Sequence, residues 1–275
     1  MEKEQAVMSA VGTPNTVCTL LAGLRALGVE RGDTLLVHSS MSKLGWVCGR
    51  EQAVVTALMR AVGRRGLLVM PAHTGDNSDP AKWQLPPVPA AWVETIREQM
   101  PAFDRRMSAT RGMGRIAECF RSCRGVRRSP HPHVSWCAWG RGAWRLVRRH
   151  PLTPMFGMQS PLGTLYRRNA KVLLLGVGYD HCTCMHLAET MQPHPAMEHN
   201  GARMRVHGKS DWVWFDDVAM DSDRFPEIGA AYEADGGALV RGKLGAADCR
   251  VLPVQPLVDY AEAWLRAHPP EPEKA

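Results

Sequence analysis

Apolar positions recur along this chain at two spacings. After Thr16, Val17, Leu20, Leu21, Leu24 and Leu27 follow a helical period and Gly28 closes the run, which predicts a capped helix over 16–27. The stretches 34–38, 66–71 and 172–175 are short and apolar at nearly every position, as strands are when both faces are covered. Between the first two, Val54, Val55, Leu58 and Val62 again fall at helical spacing. Strands alternating with helices predict an α/β chain with a central mixed sheet flanked by helices.

Further along, 72–80 is a run of turn formers and prolines 86, 87 and 89 mark an extended link before a helix containing Trp92, Ile96 and Arg97. Segment 107–114 opens a helix that runs through Phe120, and 129–133 introduces a strand over 134–139. A short helix starts at 160–166. Beyond Glu189 the texture changes. Segments 204–207 and 211–215, separated by 208–210, read as a β-hairpin with an aromatic face, and 238–241 with 249–252 read as another. Val258, Ala261 and Leu265 predict a closing helix, and 268–275 a loose tail. One domain over 1–275 is expected, with 191–250 as a smaller β-hairpin-rich part.

At 275 residues the chain can bury a core without staples. Residues 1–16 lack a basic start followed by an apolar run, and no apolar run approaches the roughly 20 residues of a membrane span, so a soluble cytoplasmic protein is expected. Eight scattered cysteines read as reduced thiols. The net charge of +7 comes largely from arginines in 121–128 and 141–149. A basic nucleic-acid module would interleave such arginines with aromatics on a binding motif, which the sequence does not show.

The richest chemistry lies in 172–189, where an apolar strand empties into a polar turn and then a helix. Thr183, His186 and Glu189 are three residues apart and so share a helical face. Near a helix start an imidazole is favoured in its neutral form and can act as a base, while Thr183 can cap the helix or steady a developing oxyanion. Two other readings stay open. His181, Cys182, Cys184 and His186 could hold zinc, although the turn is tight for four ligands, and either cysteine could serve as a nucleophile. Upstream, the small polar loop 39–49 between strand and helix places backbone N–H groups toward an anion, without the full P-loop pattern. Acids cluster late, at Asp216, Asp217, Asp221, Asp223, Glu227, Glu233 and Asp235.

Taken in order, Val-His-Ser-Ser (37–40), Gly-Trp-Val-Cys-Gly (45–49), Asp-Asn-Ser-Asp-Pro (76–80), Pro-Ala-Phe-Asp (101–104), Thr-Arg-Gly-Met-Gly (110–114), Ser-Pro-His-Pro (129–132), Ser-Pro-Leu (160–162) and the 175–189 segment resemble the aminoglycoside 3-N-acetyltransferase family over about 16–267. The resemblance implies an antibiotic N-acetyltransferase-like fold, distinct from the smaller common N-acetyltransferase (GNAT) fold, with 191–250 on the substrate side. It also implies an enzyme that acetylates the 3-amino group of a deoxystreptamine ring from acetyl-CoA, conferring antibiotic resistance. By position, His186 matches the general base, Glu233 a supporting or substrate-facing acid, and Thr183 the hydroxyl near the reacting carbonyl. Ser39, Ser40, Lys43, Leu44, Gly45, Trp46 and Val47, with Ser108, Thr110, Met113 and Gly114, match the acetyl-CoA-binding parts. Asp76, Asp79, Asp180, Glu189, Asp217 and Asp221 are the carboxylates expected to hold the ammonium groups of the acceptor. No metal, nucleic acid or membrane is implied. The partners are the two small-molecule substrates and a possible second copy of the chain, and the alternative acceptor is another small amine.

Overall fold

The computed structural model describes residues 12–269. Most of the expected tail, and most of the 1–16 stretch read as lacking a leader, lie outside them. A seven-stranded mixed sheet has the order β3-β4-β2-β1-β5-β9-β8. Its members are β1 (Thr34–Ser39), β2 (Leu67–Pro71), β3 (Arg127–Arg128), β4 (Trp136–Gly140), β5 (Lys171–Leu175), β8 (Val240–Leu244) and β9 (Ala247–Pro253). A separate two-stranded sheet pairs β6 (Met197–Val206) with β7 (Lys209–Val218). Strand β1 is parallel to both β2 and β5, while β4 and β9 run antiparallel outside them.

The first helix, α1 (Val17–Ala26), begins where the spacing predicts it, with Thr16 and Thr19 closing a reciprocal capping box. Together with α2 (Arg50–Val62) and α4 (Gly114–Ser122) it covers one face of the sheet, and Leu20, Leu24, Leu58 and Phe120 meet Leu35, Val37 and Leu173 there. The other face carries α5 (Ala143–Val147), α6 (Pro161–Arg167), α7 (His186–Thr190), α8 (Phe225–Ala234) and α9 (Val254–Ala267), packed on Leu36, Val172 and Leu174. Alternate residues of one strand thus feed opposite cores, which is why these strands read as continuously apolar. The short α3 (Val93–Gln99) lies between β2 and α4 in the chain.

Three expectations shift. The helix sought from 107 begins only at Gly114, because 107–113 is spent on turns. The tip of the first hairpin is His207-Gly208, both at positive φ (47° and 82°), so the strands reach to 206 and from 209. That two-residue geometry matches the strand twist and suits glycine. The second hairpin, β8–β9, completes the edge of the main sheet through β9–β5 pairing, and so does not join β6–β7 in a β-rich part spanning 191–250.

Strands β1 and β5 lie side by side, yet the chain leaves β1 toward β2 on the opposite side. Where connections diverge from neighbouring parallel strands, a crevice opens beyond their carboxyl ends. The turn after β5 is held under α8 by contact so close that a Cβ on Gly229 would fall 2.2 Å from the Tyr179 ring. Gly229→Ala is therefore expected to lower stability by about 1–3 kcal/mol through overpacking, measured by urea unfolding; a neutral substitution would show that α8 and this turn do not pack as described.

Candidate active site

The crevice between the ends of β1 and β5 is a cleft of about 700 Å³. One wall is 37–43 with Pro71, another is Gly112 to Arg115 with Ala117, and the third is Gly176 to Gly178 with Asp180, His181 and Thr183. A second hollow of about 770 Å³ shares the wall from Gly112 to Arg115 and is bounded by Gly49, Arg50, Glu51 and Gln52 at the start of α2. The first turns of α2 and α4 therefore border these two spaces, with Lys43 on the cleft wall and Arg115, paired with Glu51 at 3.0 Å, between them.

The turn after β5 is built differently from the single helix that the spacing suggested. Two 3₁₀ turns, Tyr179–His181 and Thr183–Met185, precede α7, and His186 is its first residue. The three-residue spacing still brings His186 and Glu189 together: Nδ1 lies 2.7 Å from Glu189 Oε2. Glu189 Oε1 accepts the backbone N–H of Asp221 at 3.0 Å. The carboxylate is thus held at both oxygens and selects the tautomer in which Nδ1–H donates to it, leaving Nε2 to handle a proton. The imidazole stacks on Phe156 (5.0 Å between centroids, 9° between planes) and meets Phe225 at 4.8 Å. Its side chain keeps 13% exposure, and the lining of the cleft ends at Thr183, one turn before it.

Two more imidazoles stand on the same side of the site. His38 is buried at the end of β1, and burial, reinforced by His181 and His186, lowers its pKa to about 3. His73, just past β2, is lowered to about 3 chiefly by burial, with its edge on Trp136 and its ring 5.8 Å from Phe156. Both are neutral at ordinary pH. Phe156 left no mark in the sequence, since nothing in a loop 30 residues upstream of His186 announces a stacking partner. His38 did leave one: an apolar strand that ends in histidine at the crevice edge.

The remaining expected residues separate. Ser39, Ser40, Lys43, Met113 and Gly114 line the cleft, and Thr110 lines the neighbouring hollow while its hydroxyl donates to Glu118 at 2.7 Å. Leu44 and Val47 are core residues, Gly45 and Trp46 connect them without lining either space, and the Ser108 hydroxyl accepts from the Asp104 backbone. Among the carboxylates, Asp180 alone lines the cleft, 2.7 Å from His181 Nδ1. Asp76 pairs with Arg111, and Asp79 is gripped by Arg97 at 2.8 Å and caps the turn that follows it. Asp217 is fully buried, accepting from Met155 N–H at 2.8 Å and from Thr153, so the structure makes it an internal anchor instead of a substrate-facing acid. Asp221 is exposed and serves the site through its backbone N–H. Glu233 does not reach His186. It accepts from Tyr179 at 3.0 Å and Arg250 at 2.8 Å and also pairs with Arg241.

The alternatives for the turn are answered by the same geometry. Cys182 and Cys184 point into the core with Sγ atoms 3.4 Å apart, while His181 turns to Asp180 and His186 to Glu189, so the four do not converge. Among the described residues no three His, Cys, Asp or Glu groups are gathered to hold a metal. The hydrogen bond to Cys184 and burial push the Cys182 thiol well above its usual range, so it stays protonated and a poor nucleophile.

The model of one family, described as aminoglycoside 3-N-acetyltransferase, matches residues 36–266. YokD, an aminoglycoside N(3')-acetyltransferase-like protein of Bacillus subtilis, is 42% identical over 94% of this chain and 95% of its own. Its crystal structure superposes with a TM-score of 0.94, covering 96% of this chain and 98% of that one. Aminoglycoside N(3)-acetyltransferase VII of Streptomyces paromomycinus is 32% identical over 95% of each chain. The binary complex of AAC-IIIb with CoASH superposes with a TM-score of 0.82 at 27% identity, covering 94% of this chain and all of that one.

Burial sorts the thiols. A thiol reagent is expected to label the exposed Cys18 and Cys48 quickly in the native protein, and the buried Cys137, Cys182, Cys184 and Cys249 only on unfolding, followed by peptide mass mapping. Rapid native labelling of Cys182 or Cys184 would contradict the packing of the turn.

Proposed function

Because the chain belongs to the aminoglycoside 3-N-acetyltransferase family and is an acyltransferase of that family, we propose that it moves the acetyl group of acetyl-CoA to the 3-amino group of a deoxystreptamine ring by direct attack, with His186 as general base. The observation that carries this reading is the pair His186 Nδ1–Glu189 Oε2 at 2.7 Å, one helical turn beyond Thr183 on the cleft wall. An alkylammonium cannot attack a thioester, so the acceptor must lose a proton before or during bond formation. The ammonium first gives one proton to solvent; neutral Nε2 then takes a second from the nitrogen as it attacks, while Glu189 steadies the resulting imidazolium. The new N–C bond forms as the carbonyl pair moves to oxygen; the C–S bond then breaks, and the proton on His186 returns to the departing sulfur.

Acetyl-CoA enters as a substrate, the acetyl donor. The cleft and its neighbour suit a long molecule with phosphates at one end: Lys43, Arg115 and the first turns of α2 and α4 offer positive charge and N–H groups, while Val37, Met41, Met113 and Val177 offer apolar surface. Thr183, on the cleft wall, supplies a hydroxyl near the reacting carbonyl, and Asp180 supplies acidity for a cationic acceptor. A second reading, acceptance of a smaller amine, is favoured by the engagement of Asp76, Asp79 and Asp217 within the protein, which leaves few carboxylates for a polycation.

Release of CoA thiol, corrected for the exposed protein cysteines, is to be followed across aminoglycosides and simple amines. Turnover is expected with deoxystreptamine acceptors. His186→Ala should reduce kcat by roughly 10²–10⁴-fold in a protein that still folds and binds CoA, and Glu189→Gln should fall between it and the parent. Retention of most of kcat by His186→Ala would remove it as the base, and turnover confined to simple amines would decide for the second reading.

A further inference from the structure

His38 carries a polar atom that the His186–Glu189 pair does not account for. Its ring lines the cleft beside Ser39, yet its Nε2 atom is buried and has no hydrogen-bond partner among the described residues. A buried polar atom without a partner forfeits the hydrogen bonds it had to water, and a leucine or phenylalanine would fill such a place more cheaply. Its strand neighbours show that the place is otherwise apolar: Leu36, two residues back on the same face, belongs to the core that also holds Phe156, Met185 and Phe225. The register sets His38 opposite Leu174, so it stands beside the β5 exit from which Thr183 and His186 arise.

We propose that His38 is a further catalytic residue of the acetyl transfer, donating Nε2–H to the thioester carbonyl oxygen and to the oxyanion that forms on it. This rests on the proposed acyl transfer. The partner that Nε2 lacks is supplied by the donor substrate, and rotation about χ2, a soft torsion for histidine, presents the ring edge to the cleft. The strands then divide the work. His186, after β5, handles the proton of the amine, and His38, on β1, holds the oxygen, with Thr183 on the cleft wall one turn before His186. A neutral donor suits this position. Burial holds His38 uncharged through the working pH range, so it offers a hydrogen bond without setting a second cation against the imidazolium of His186. Donors of this kind gain their worth as charge develops on the oxygen, and so act on kcat more than on ground-state binding.

The experiment compares the parent protein with His38→Leu, His38→Gln and His186→Ala. For His38→Leu, kcat should fall roughly 10²–10³-fold, the loss seen when one oxyanion donor is removed, with the KM for acetyl-CoA and the Kd for CoA, which has no acyl oxygen, within about twofold. The melting temperature should not fall, since an orphaned polar atom has been replaced by an apolar one. His38→Gln keeps an N–H donor and should recover part of kcat, and the acid limb of the pH–rate profile should not move in either variant. A readout independent of turnover is the carbonyl stretch of bound dethia acetyl-CoA, a ketone analogue: it should lie at lower frequency in the parent and His186→Ala proteins than in His38→Leu. Unchanged kcat or an unchanged stretch in His38→Leu overturns the inference. Loss of CoA binding together with kcat, unrelieved by His38→Gln, overturns it in favour of a packing role. A shifted stretch in a parent protein that acetylates no amine would leave the donor contact standing and remove the acyl-transfer reading instead.

Discussion

Everything at the site follows from strand β1 having parallel neighbours on both sides while its own connection departs toward only one of them. The crevice cannot be filled by a crossover, because the next crossover covers β2. Its floor is therefore made of strand ends, and its walls are the loops that leave them. The helices on the two faces rest on alternating side chains of the same strands, so a shift of one residue in β1 or β5 would exchange the contents of both cores. That rigidity fixes the histidines of the crevice.

The second level of order is aromatic. Phe156 lies between the imidazoles of His73 and His186, and Phe225 closes the other side of His186. Rings in contact restrict one another's rotation, so the orientation of His186 is set by packing as well as by Glu189. An imidazole so held can accept a proton with little rearrangement around it, which is what the proposed role of His186 as base requires.

Much of this was legible in the chain. The continuous apolar runs announced strands covered on both faces, and the three-residue spacing in the 183–189 segment brought His186 to Glu189 even though 3₁₀ turns replaced most of the expected helix. Local periodicity survives such a change because it depends only on neighbours in sequence. The carboxylates were not legible in the same way. Asp79 and Glu233 are spoken for by Arg97, Arg250 and Arg241, whose approach is decided by tertiary packing, and Asp217 is drawn inward by the Thr153–Met155 loop 62 residues away. An acid's type in the sequence gives its charge, whereas its partner comes from the fold. The second hairpin was seen as a hairpin but not as the sheet's edge, since strand order is not a local property.

The histidines also bear on how this protein meets acid. His38, His131, His133 and His150 are buried and His73 is half-buried, and for all five burial is the main cause that holds the pKa below its usual value. In the unfolded chain each would titrate near its ordinary value, about 6.5. Above that pH both states are neutral and the fold loses nothing. As pH falls below it the unfolded chain takes up protons that the folded one refuses, and each such group withdraws up to about 1.4 kcal/mol per pH unit until its own folded pKa is reached. Several buried imidazoles acting together give the unfolded state a growing advantage between about pH 6 and 4, so acidification weakens the fold as a whole and not one corner of it.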